Sequence, residues 1–383
     1  MVKLTKITSR ITAIFTMSVI SFFFFMTVFG KTESFSFTEN RKLADIPEVS
    51  LNGLYDGSDV ENLKCYITDH FAGRDDWISA KTFMQAELSE QIVNGIYVSK
   101  ERLLDAEVSL RTPASANADI FSRYKENYDG TVYFVAIPSS SGVYGDLLHA
   151  RGISRSDSQQ ITAFYEFLNK DIRKIDAYNI LKMMNENYIY YRTDTKWTTY
   201  GAYCVYKTVI QKLGFLPTLY DKYSIQHITD NFRGNLYKKV LSAKVKPDII
   251  DIFSYPDGAT VLSCEKTTND GNTVDSKLYD YDKLNSSDMY SVFLGESAPL
   301  IKIKTSIKND KKILVIKDCY ADCFIPFLIQ HYSEIAIISP EDMEKGLSEY
   351  ININDYSQTL FLFGVENLGN RSNLEKIIET ERK

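Results

Sequence analysis

Four short runs along the chain are apolar almost throughout, which is the pattern of β-strands covered on both faces. They are Thr131–Ile137, Lys312–Ile316, Glu334–Ile338 and Thr359–Phe363. Segments with helical spacing of apolar residues lie before and between these runs. Alternation of strand and helix at this spacing predicts an α/β fold with a parallel sheet and helices on both of its faces.

The segments with helical spacing are longer than the predicted strands and contain more polar residues. We expect helices over Ser156–Lys174, Tyr200–Leu213, Tyr320–Tyr332 and Glu341–Tyr350. Residues 215–310 have a less regular pattern, and the Asn, Asp and Ser residues around 269–288 are typical of loops.

The N-terminal part follows a different pattern. Ser58–Asn94 has helical periodicity that is interrupted at Gly73, so we expect two helices joined by a tight turn. Asn94-Gly95 then predicts a turn into the short strand Ile96–Val98. This part is therefore predicted to be a helical hairpin that precedes the α/β sheet.

The chain begins with a candidate membrane segment. Lys3, Lys6 and Arg10 precede the uncharged run from Ile11 to Gly30, and about twenty apolar residues span the hydrocarbon core of a bilayer. The basic residues favour an N-terminus inside the cell and a body outside it. The alternative is a cleaved signal peptide, for which Ser34-Phe35-Ser36 is an acceptable cleavage site. Both readings place the folded body outside the cytoplasm.

These patterns predict three regions. Residues 1–30 form a cytoplasmic tip and a transmembrane anchor, residues 31–57 form a spacer, and residues 58–383 form the folded domain with its N-terminal helical hairpin.

Composition excludes several classes of function. The net charge of −6 argues against nucleic acid as a partner, because phosphate binding needs a basic surface. The five cysteines form no CxxC pair and the four histidines are scattered, so we expect neither a metal site nor a cofactor. The 26 tyrosines and 22 phenylalanines suit either a well-packed core or surfaces that stack on sugars.

Two segments are candidates for chemistry. Cys319 directly follows a predicted strand and opens a predicted helix, where backbone N–H groups stabilise anions; the alternative is a buried cysteine that packs a turn. The polar and aromatic stretch Tyr190–Thr198 precedes a helix. There Thr198 is a natural helix cap, and Asp194 with Lys196 is a possible surface ion pair.

A third polar cluster, Asp69–Asp75, has the sequence DHFAGRD. We favour a structural interpretation, a corner between two helices held by an Arg–Asp pair, because a lone histidine without a visible partner is more often structural than catalytic.

The order of several motifs resembles a known family. They are DHFAGRD (69–75), NGIYV (94–98), VYFVAIPSS (132–140), YYRTDTKWTTYGAY (190–203), NFRGNLYKK (231–239), FLGES (293–297) and ILVIKDCYADCFIPFL (313–328). This order is similar to that of the DHHW proteins, which resemble the alginate O-acetyltransferases of the SGNH-hydrolase-like group. The resemblance implies a flavodoxin-like α/β fold and a role at cell-surface polysaccharide, where the related enzymes use an Asp-x-His pair and a serine as a triad.

Three triad-equivalent positions follow from this resemblance. The family's DHHW tetrad is Asp194-Thr195-Lys196-Trp197 here, so Asp194 is the acid and Lys196 occupies the histidine position. Cys319 stands where the nucleophilic serine is expected. The Gly-Asn of the family's Gly-Gly-Asn is replaced by Glu296 and Ser297.

A lysine beside a carboxylate stays protonated at neutral pH and cannot accept a proton from a nucleophile. We therefore expect an extracytoplasmic, membrane-anchored protein that binds envelope glycan or assists its O-acetylation, with a degenerate triad. One alternative is a Cys319-dependent acyltransferase or esterase served by an acyl-donor membrane protein. Another is a structural partner in a polysaccharide-assembly complex, bound through the helical N-terminal region.

Overall fold

A computed structural model of the protein describes residues 2–36, 41–48, 50–88, 92–107, 113–149, 156–242 and 244–378. The chain forms two compact units. One comprises Met1–Glu90 and Lys238–Ala243, and the other comprises Gln91–Tyr237 and Lys244–Lys383.

The first unit is mainly helical. Its first helix, Val2–Phe29, contains a stretch of 22 residues, Thr8–Phe29, that is long and apolar enough to cross a membrane. A strand pair and three further helices follow: Phe35–Ser36, Arg41–Lys42, Leu51–Asp56, Ser58–Asp69 and Arg74–Leu88. Two helices separated by a turn that contains Gly73 are therefore present, although residues 89–91 of the expected second helix lie outside the described residues.

Two features of this unit were not predicted. Helix Leu51–Asp56 lies within the expected spacer and is capped by the hydroxyl of Ser50, which accepts a hydrogen bond from the backbone N–H of Gly53 at 2.9 Å. The carboxylate of Asp69 pairs with Arg41, which holds its pKa down at about 2. Within the motif Arg74 also pairs with Asp75 at 3.4 Å, so the expected Arg–Asp pair is present and Arg41 adds a second one from outside the motif.

The second unit contains an eight-stranded sheet. Its strands in chain order are β1 (Thr131–Ile137), β2 (Arg173–Ile175), β3 (Val261–Thr267), β4 (Thr273–Asp275), β5 (Leu300–Thr305), β6 (Lys312–Lys317), β7 (Glu334–Ile338) and β8 (Gln358–Gly364). Across the sheet the order is β4-β3-β5-β7-β6-β8-β1-β2. The four strands predicted from their apolar runs are adjacent and parallel, as β7-β6-β8-β1.

The mixed α/β class with a large, mostly parallel sheet is therefore confirmed. The order of the strands differs from the flavodoxin order. In flavodoxin the five parallel strands follow 2-1-3-4-5, whereas here the last strand, β8, lies between β1 and β6. An apolar run indicates that a strand is buried, but it does not specify which neighbour the strand will have.

Side chains on both faces of the sheet are buried. In β1, Tyr133 and Val135 belong to one apolar cluster, whereas Val132 and Phe134 belong to another on the opposite face. Helices Ala118–Glu126 and Asp157–Phe167 contribute to the second cluster, and helix Thr199–Lys212 contributes to the first. The sheet thus forms the middle of three layers, which is the reason for the unbroken apolar runs.

The remaining elements of this unit are shorter. Two further sheets consist of Ile92–Val93, Ile96–Val98 and Leu103–Asp105, and of Ser224–Phe232 and Asp248–Ser254. The α-helices not yet named are Ser140–Val143, Asp146–His149, Ala177–Met183, Ile325–Leu328 and Arg371–Glu375, with Asn235–Val240 crossing between the units. The short 3-10 helices are Ala114–Asn117, Tyr220–Lys222, Tyr281–Asn285, Met289–Val292, Cys319–Ala321, Leu347–Glu349, Ile353–Asp355 and Val365–Gly369.

Three helix predictions were too long. The helix expected over 156–174 ends at Phe167 and is followed by strand β2. Residues 320–332 contain only the helix Ile325–Leu328 after a 3-10 turn, and residues 341–350 contain only the turn Leu347–Glu349. The region 215–310 also holds more strands than expected, because β3, β4 and β5 extend the sheet with antiparallel pairing.

Candidate functional site

The loop before helix Thr199–Lys212 is closed at its base by local hydrogen bonds. The hydroxyl of Thr198 caps the helix by accepting a hydrogen bond from the N–H of Gly201 at 3.1 Å, as its sequence position predicts. The N–H of Tyr191 donates to the carbonyl of Lys196 at 3.2 Å. These bonds place Asp194 and Lys196 on a short, fully supported turn.

Asp194 and Lys196 form a buried ion pair. The Nζ of Lys196 lies 3.2 Å from Oδ1 of Asp194, and the two side chains are 9% and 2% exposed. The backbone N–H of Asn235 donates to Oδ2 of Asp194 at 2.8 Å. A β-carbon at Gly234 would lie 2.3 Å from the Asp194 side chain, so only glycine fits at that position. The surface ion pair considered from the sequence is therefore an interior one.

The charges of this pair stabilise each other. Burial alone would raise the pKa of the Asp194 carboxyl, but the Lys196 charge and the N–H groups of Asn235 and Lys196 outweigh burial and lower it. Burial alone would lower the pKa of the Lys196 ammonium, but Asp194 outweighs burial and raises it. Lys196 is consequently protonated at neutral pH and has no lone pair for a proton.

Cys319 lies in the turn that follows β6. Its turn, Cys319–Ala321, is capped by Asp318, whose carboxylate accepts a hydrogen bond from the N–H of Tyr320 at 2.9 Å. The other oxygen of Asp318 accepts hydrogen bonds from the N–H of Gly364 and the side chain of Asn367, both at 2.7 Å. Burial raises the pKa of Asp318 to about 6 despite these bonds.

Two hydrogen bonds join the segment with Lys196 to the segment with Cys319. The indole N–H of Trp197 donates to the carbonyl of Tyr320 at 2.7 Å, and the hydroxyl of Tyr320 donates to the carbonyl of Thr195 at 3.1 Å. The structure thus brings together segments more than 120 positions apart in the sequence. We call Asp194, Lys196 and Cys319, with the residues bonded to them, the motif site.

The Cys319 thiol is poorly activated. Burial raises its pKa, the charges of Lys196 and Lys317 oppose the increase, and Asp318 and Asp322 add to it, so the net pKa is above the ordinary value. Lys317 in turn pairs with Asp322 at 2.5 Å. The thiol therefore lies among cations that are already neutralised by carboxylates and remains protonated at neutral pH.

Glu296 and Ser297, at the positions of the family's Gly-Asn, bond to residues outside the motif site. Glu296 is 68% exposed and pairs with Lys283 at 2.8 Å and Lys266 at 3.4 Å. The hydroxyl of Ser297 bonds to Asp342. Within the described part of the chain, neither side chain bonds to the motif site.

Sequence reasoning missed several contributors to the motif site. Asn235 acts through its backbone N–H, which no side-chain pattern indicates. Asn367 and Tyr290 come from distant segments, and the Tyr290 ring centroid is 4.9 Å from the Lys196 Nζ. The aromatic residues of the motif are core residues, since Tyr190, Tyr191 and Trp197 are fully buried. They do not form a sugar-stacking surface.

Comparison with known proteins identifies the fold and the family. The structure is similar to a DHHW family protein from Eubacterium siraeum, with 20% identity, a TM-score of 0.63, and coverage of 76% of this chain and 97% of that chain. It is also similar to Bacillus cereus PatB1 with a sulfonyl adduct, with 19% identity, a TM-score of 0.61, and coverage of 73% and 97%.

A more distant similarity is to the O-acetyltransferase domain of Pseudomonas putida AlgJ, with 12% identity, a TM-score of 0.44, and coverage of 72% and 92%. No curated protein matches the sequence. The family model described as "DHHW protein" matches residues 126–338, which is more than half of the chain. The chain therefore belongs to the DHHW protein family.

Proposed function

We propose that this protein binds cell-envelope glycan through an SGNH-hydrolase-like domain whose triad-equivalent positions no longer carry out ester chemistry. The observation that supports this proposal is the buried pair of Asp194 and Lys196 beside Cys319. A working triad needs a base that is neutral near pH 7 and a nucleophile that this base can deprotonate. Lys196 lacks the first property, and the raised pKa of Cys319 removes the second.

We also propose that helix Val2–Phe29 is an uncleaved anchor and that the body lies outside the cytoplasm. The basic residues Lys3, Lys6 and Arg10 precede the apolar stretch, which favours this orientation. Protease added to intact protoplasts should digest the body. A mature protein that begins after Ser36 would instead identify the segment as a signal peptide.

The test of the central proposal uses two probes. The full-length protein is incubated with p-nitrophenyl acetate and, separately, with an aryl sulfonyl fluoride, because PatB1 of the same fold carries a sulfonyl adduct. At pH 7 we expect no turnover and no added mass at Cys319. Variants Lys196→His and Cys319→Ser should each remain inactive, because triad members act as a unit. The double variant is the one expected to gain reactivity.

A second candidate function is a Cys319-dependent acyltransferase that receives its acyl group from a membrane protein. The observation in its favour is that Lys196 and Lys317 both act to lower the pKa of Cys319. Turnover by the unmodified protein that is lost in Cys319→Ala would establish this alternative. Retention on crude envelope polysaccharide, unchanged in Cys319→Ala, would support glycan binding instead.

A third candidate is a structural partner in a polysaccharide-assembly complex. Several apolar side chains of the helical hairpin are exposed, among them Val60 at 59% and Met84 at 58%. Exposed apolar surface of this kind is typical of sites that contact another protein or a membrane. Loss of co-purifying envelope proteins in the double variant Val60→Ser with Met84→Ser would favour this candidate.

A further inference from the structure

A cleft of about 760 Å³ lies in the second unit, lined partly by the same loop that carries Asp194. Its volume falls in the range of about 300–1,000 Å³ that is usual for small-molecule sites. Of the residues around it, five are Lys or Arg and three are Asp or Glu, in a protein whose net charge is −6. We call it the basic cleft and define it by Lys100, Arg102, Tyr144, Tyr188, Arg192 and Lys246.

Two arginines of the basic cleft are held in place by tyrosine rings. The guanidinium carbon of Arg102 is 3.5 Å from the ring centroid of Tyr144, and that of Arg192 is 4.5 Å from the ring centroid of Tyr188. The N–H of Leu103 donates to the carbonyl of Arg192 at 2.7 Å, which joins the two arginine segments. Stacking on a ring fixes the plane of a guanidinium and leaves the N–H groups at its edge free to bind.

One of these donors has no partner. The Nη1 of Arg102 is buried and makes no hydrogen bond within the described part of the chain. The backbone N–H of Arg192 donates to the Asp248 carboxylate at 2.7 Å, but its guanidinium lies 3.9 Å from that carboxylate, which is beyond hydrogen-bond distance. A buried donor without an acceptor is uncommon in native structures and calls for an explanation, such as an absent ligand.

The acidic residues around the cleft do not satisfy these arginines. Asp146 bonds to Lys182 at 3.1 Å, and Glu101 and Glu186 are exposed. Burial raises the pKa of the Tyr144 hydroxyl, whereas the charges of both Arg102 and Arg192 oppose that increase. Both cations therefore lie near the Tyr144 hydroxyl.

We propose that the basic cleft binds the oxyanion of an acidic sugar within an envelope glycan. This inference rests on the proposed glycan-binding function. A carboxylate or a phosphate matches the planar N–H pattern of arginine in a bidentate contact. The amide of Asn185, which also lines the cleft, can bond to sugar hydroxyls.

The experiment measures binding by calorimetry with the full-length protein in detergent. The ligands are an oligogalacturonate, its fully methyl-esterified form with the same sugars and no charge, and a glycerol phosphate oligomer. We expect at least one anionic ligand to bind, with affinity that falls as salt concentration rises, and the methyl ester to bind at least tenfold more weakly. Which anion binds more tightly distinguishes a carboxylate from a phosphate source.

Matched variants locate the site. Arg102→Gln should weaken binding about tenfold. Arg173→Gln is the control, because Arg173 also lies over a tyrosine, 5.4 Å from the ring centroid of Tyr133, but outside the cleft. The control should bind as the unmodified protein does. Lys246→Gln changes an exposed side chain and should weaken binding about twofold to threefold. This loss of affinity does not depend on the packing of Arg102.

The two proposals fail in different ways. Equal binding of the charged and esterified oligomers, or an affinity of Arg102→Gln equal to that of the unmodified protein, would overturn the cleft assignment. If both proteins are nevertheless retained equally on crude envelope polysaccharide, glycan binding stands and its site lies elsewhere. No retention of the unmodified protein would overturn the proposed function itself.

Discussion

The motif site and the basic cleft use charged residues from one loop in opposite ways. In the motif site, Lys196 is paired with Asp194, and the carboxylate has a further backbone donor. In the basic cleft, the guanidinium of Arg192 lies 3.9 Å from the Asp248 carboxylate, and the buried Nη1 of Arg102 has no hydrogen-bond partner among the described residues. Only two positions separate Arg192 from Asp194.

The two sites differ in whether their cations are paired closely with a carboxylate inside the protein. A cation that is already neutralised inside the protein contributes little to ligand binding, because a ligand would have to break the pair. A cation with free donors beside a cleft can exchange water for an anionic ligand. We therefore expect an anionic ligand to prefer the basic cleft to the buried pair of Asp194 and Lys196.

The largest expected effect is on stability when the buried pair is broken. Lys196→Met leaves the Asp194 carboxylate buried without its cation, and we expect a loss of about 3–5 kcal/mol in the free energy of unfolding. Arg192→Met is the matched control and should cost less than about 1 kcal/mol, because Arg192 is partly solvated and the Asp248 carboxylate, 3.9 Å away, keeps its hydrogen bonds from Tyr188 and Thr193. Denaturant unfolding followed by tryptophan fluorescence measures both. Equal losses would remove the distinction between the two places.

The next effect is a dependence on pH. The raised pKa of Asp318, about 6, means that the folded protein holds a proton that the unfolded chain releases near 3.8. The stability contributed by this proton is complete below about pH 3.8 and is lost as pH rises through 6. The Asp318→Asn variant has no such proton to lose. Between pH 4 and pH 7 its free energy of unfolding should therefore rise, relative to that of the unmodified protein, by up to about 3 kcal/mol.

The control for Asp318 comes from the basic cleft. Asp146→Asn changes a side chain that is 81% exposed, and the same series of unfolding curves is recorded for it. A pH dependence in Asp146→Asn as large as that of Asp318→Asn would show that burial in the motif site is not its cause.

A smaller effect concerns thiol reactivity. Cys65 is exposed, whereas Cys319 is partly buried and its pKa is raised. Iodoacetamide at pH 7.5 should modify Cys65 at least tenfold faster, because the thiolate is the reactive form. Peptide mass mapping over time measures both rates. Lys196→Met should slow Cys319 further, because the Lys196 charge lowers its pKa; faster modification of Cys319 than of Cys65 would contradict the account of a poorly activated thiol.

The smallest expected effect compares the loss of one tyrosine hydroxyl in the motif site with the same loss in the basic cleft. Tyr320→Phe removes a hydroxyl whose single proton faces two acceptors, the Thr195 carbonyl and the Glu366 carboxylate, both at 3.1 Å, and should cost about 1–2 kcal/mol. Tyr144→Phe makes the same change in the basic cleft, where the hydroxyl lies 3.5 Å from the carbonyl of Asn187, and should cost less than about 0.5 kcal/mol. A larger cost for Tyr144→Phe would place the more rigid network in the cleft.

Much of the sheet could be predicted because the relevant information is local. The apolar run Thr131–Ile137 is found as a strand with those bounds, and the Asn94-Gly95 turn has both residues in the left-handed region, with φ of 50° and 75°. The helix predicted over 320–332 is reduced to a 3-10 turn and the short helix Ile325–Leu328, because Tyr320, Phe324 and Phe327 pack into the core in that arrangement. Tertiary burial there outweighs helical spacing.

The sequence by itself determined the α/β class, the four buried strands and the Asn94-Gly95 turn; that Lys196 and Cys319 stand at triad-equivalent positions is what the family resemblance implies. Apolar periodicity and chemical identity need no knowledge of distant segments. Only the tertiary structure decided that β8 lies between β1 and β6, that the N–H of Asn235 donates to Asp194, and that the N–H of Leu103 donates to the carbonyl of Arg192. Each of these contacts joins residues more than forty positions apart, and the free energy that selects them comes from the packing of the whole sheet and its loops.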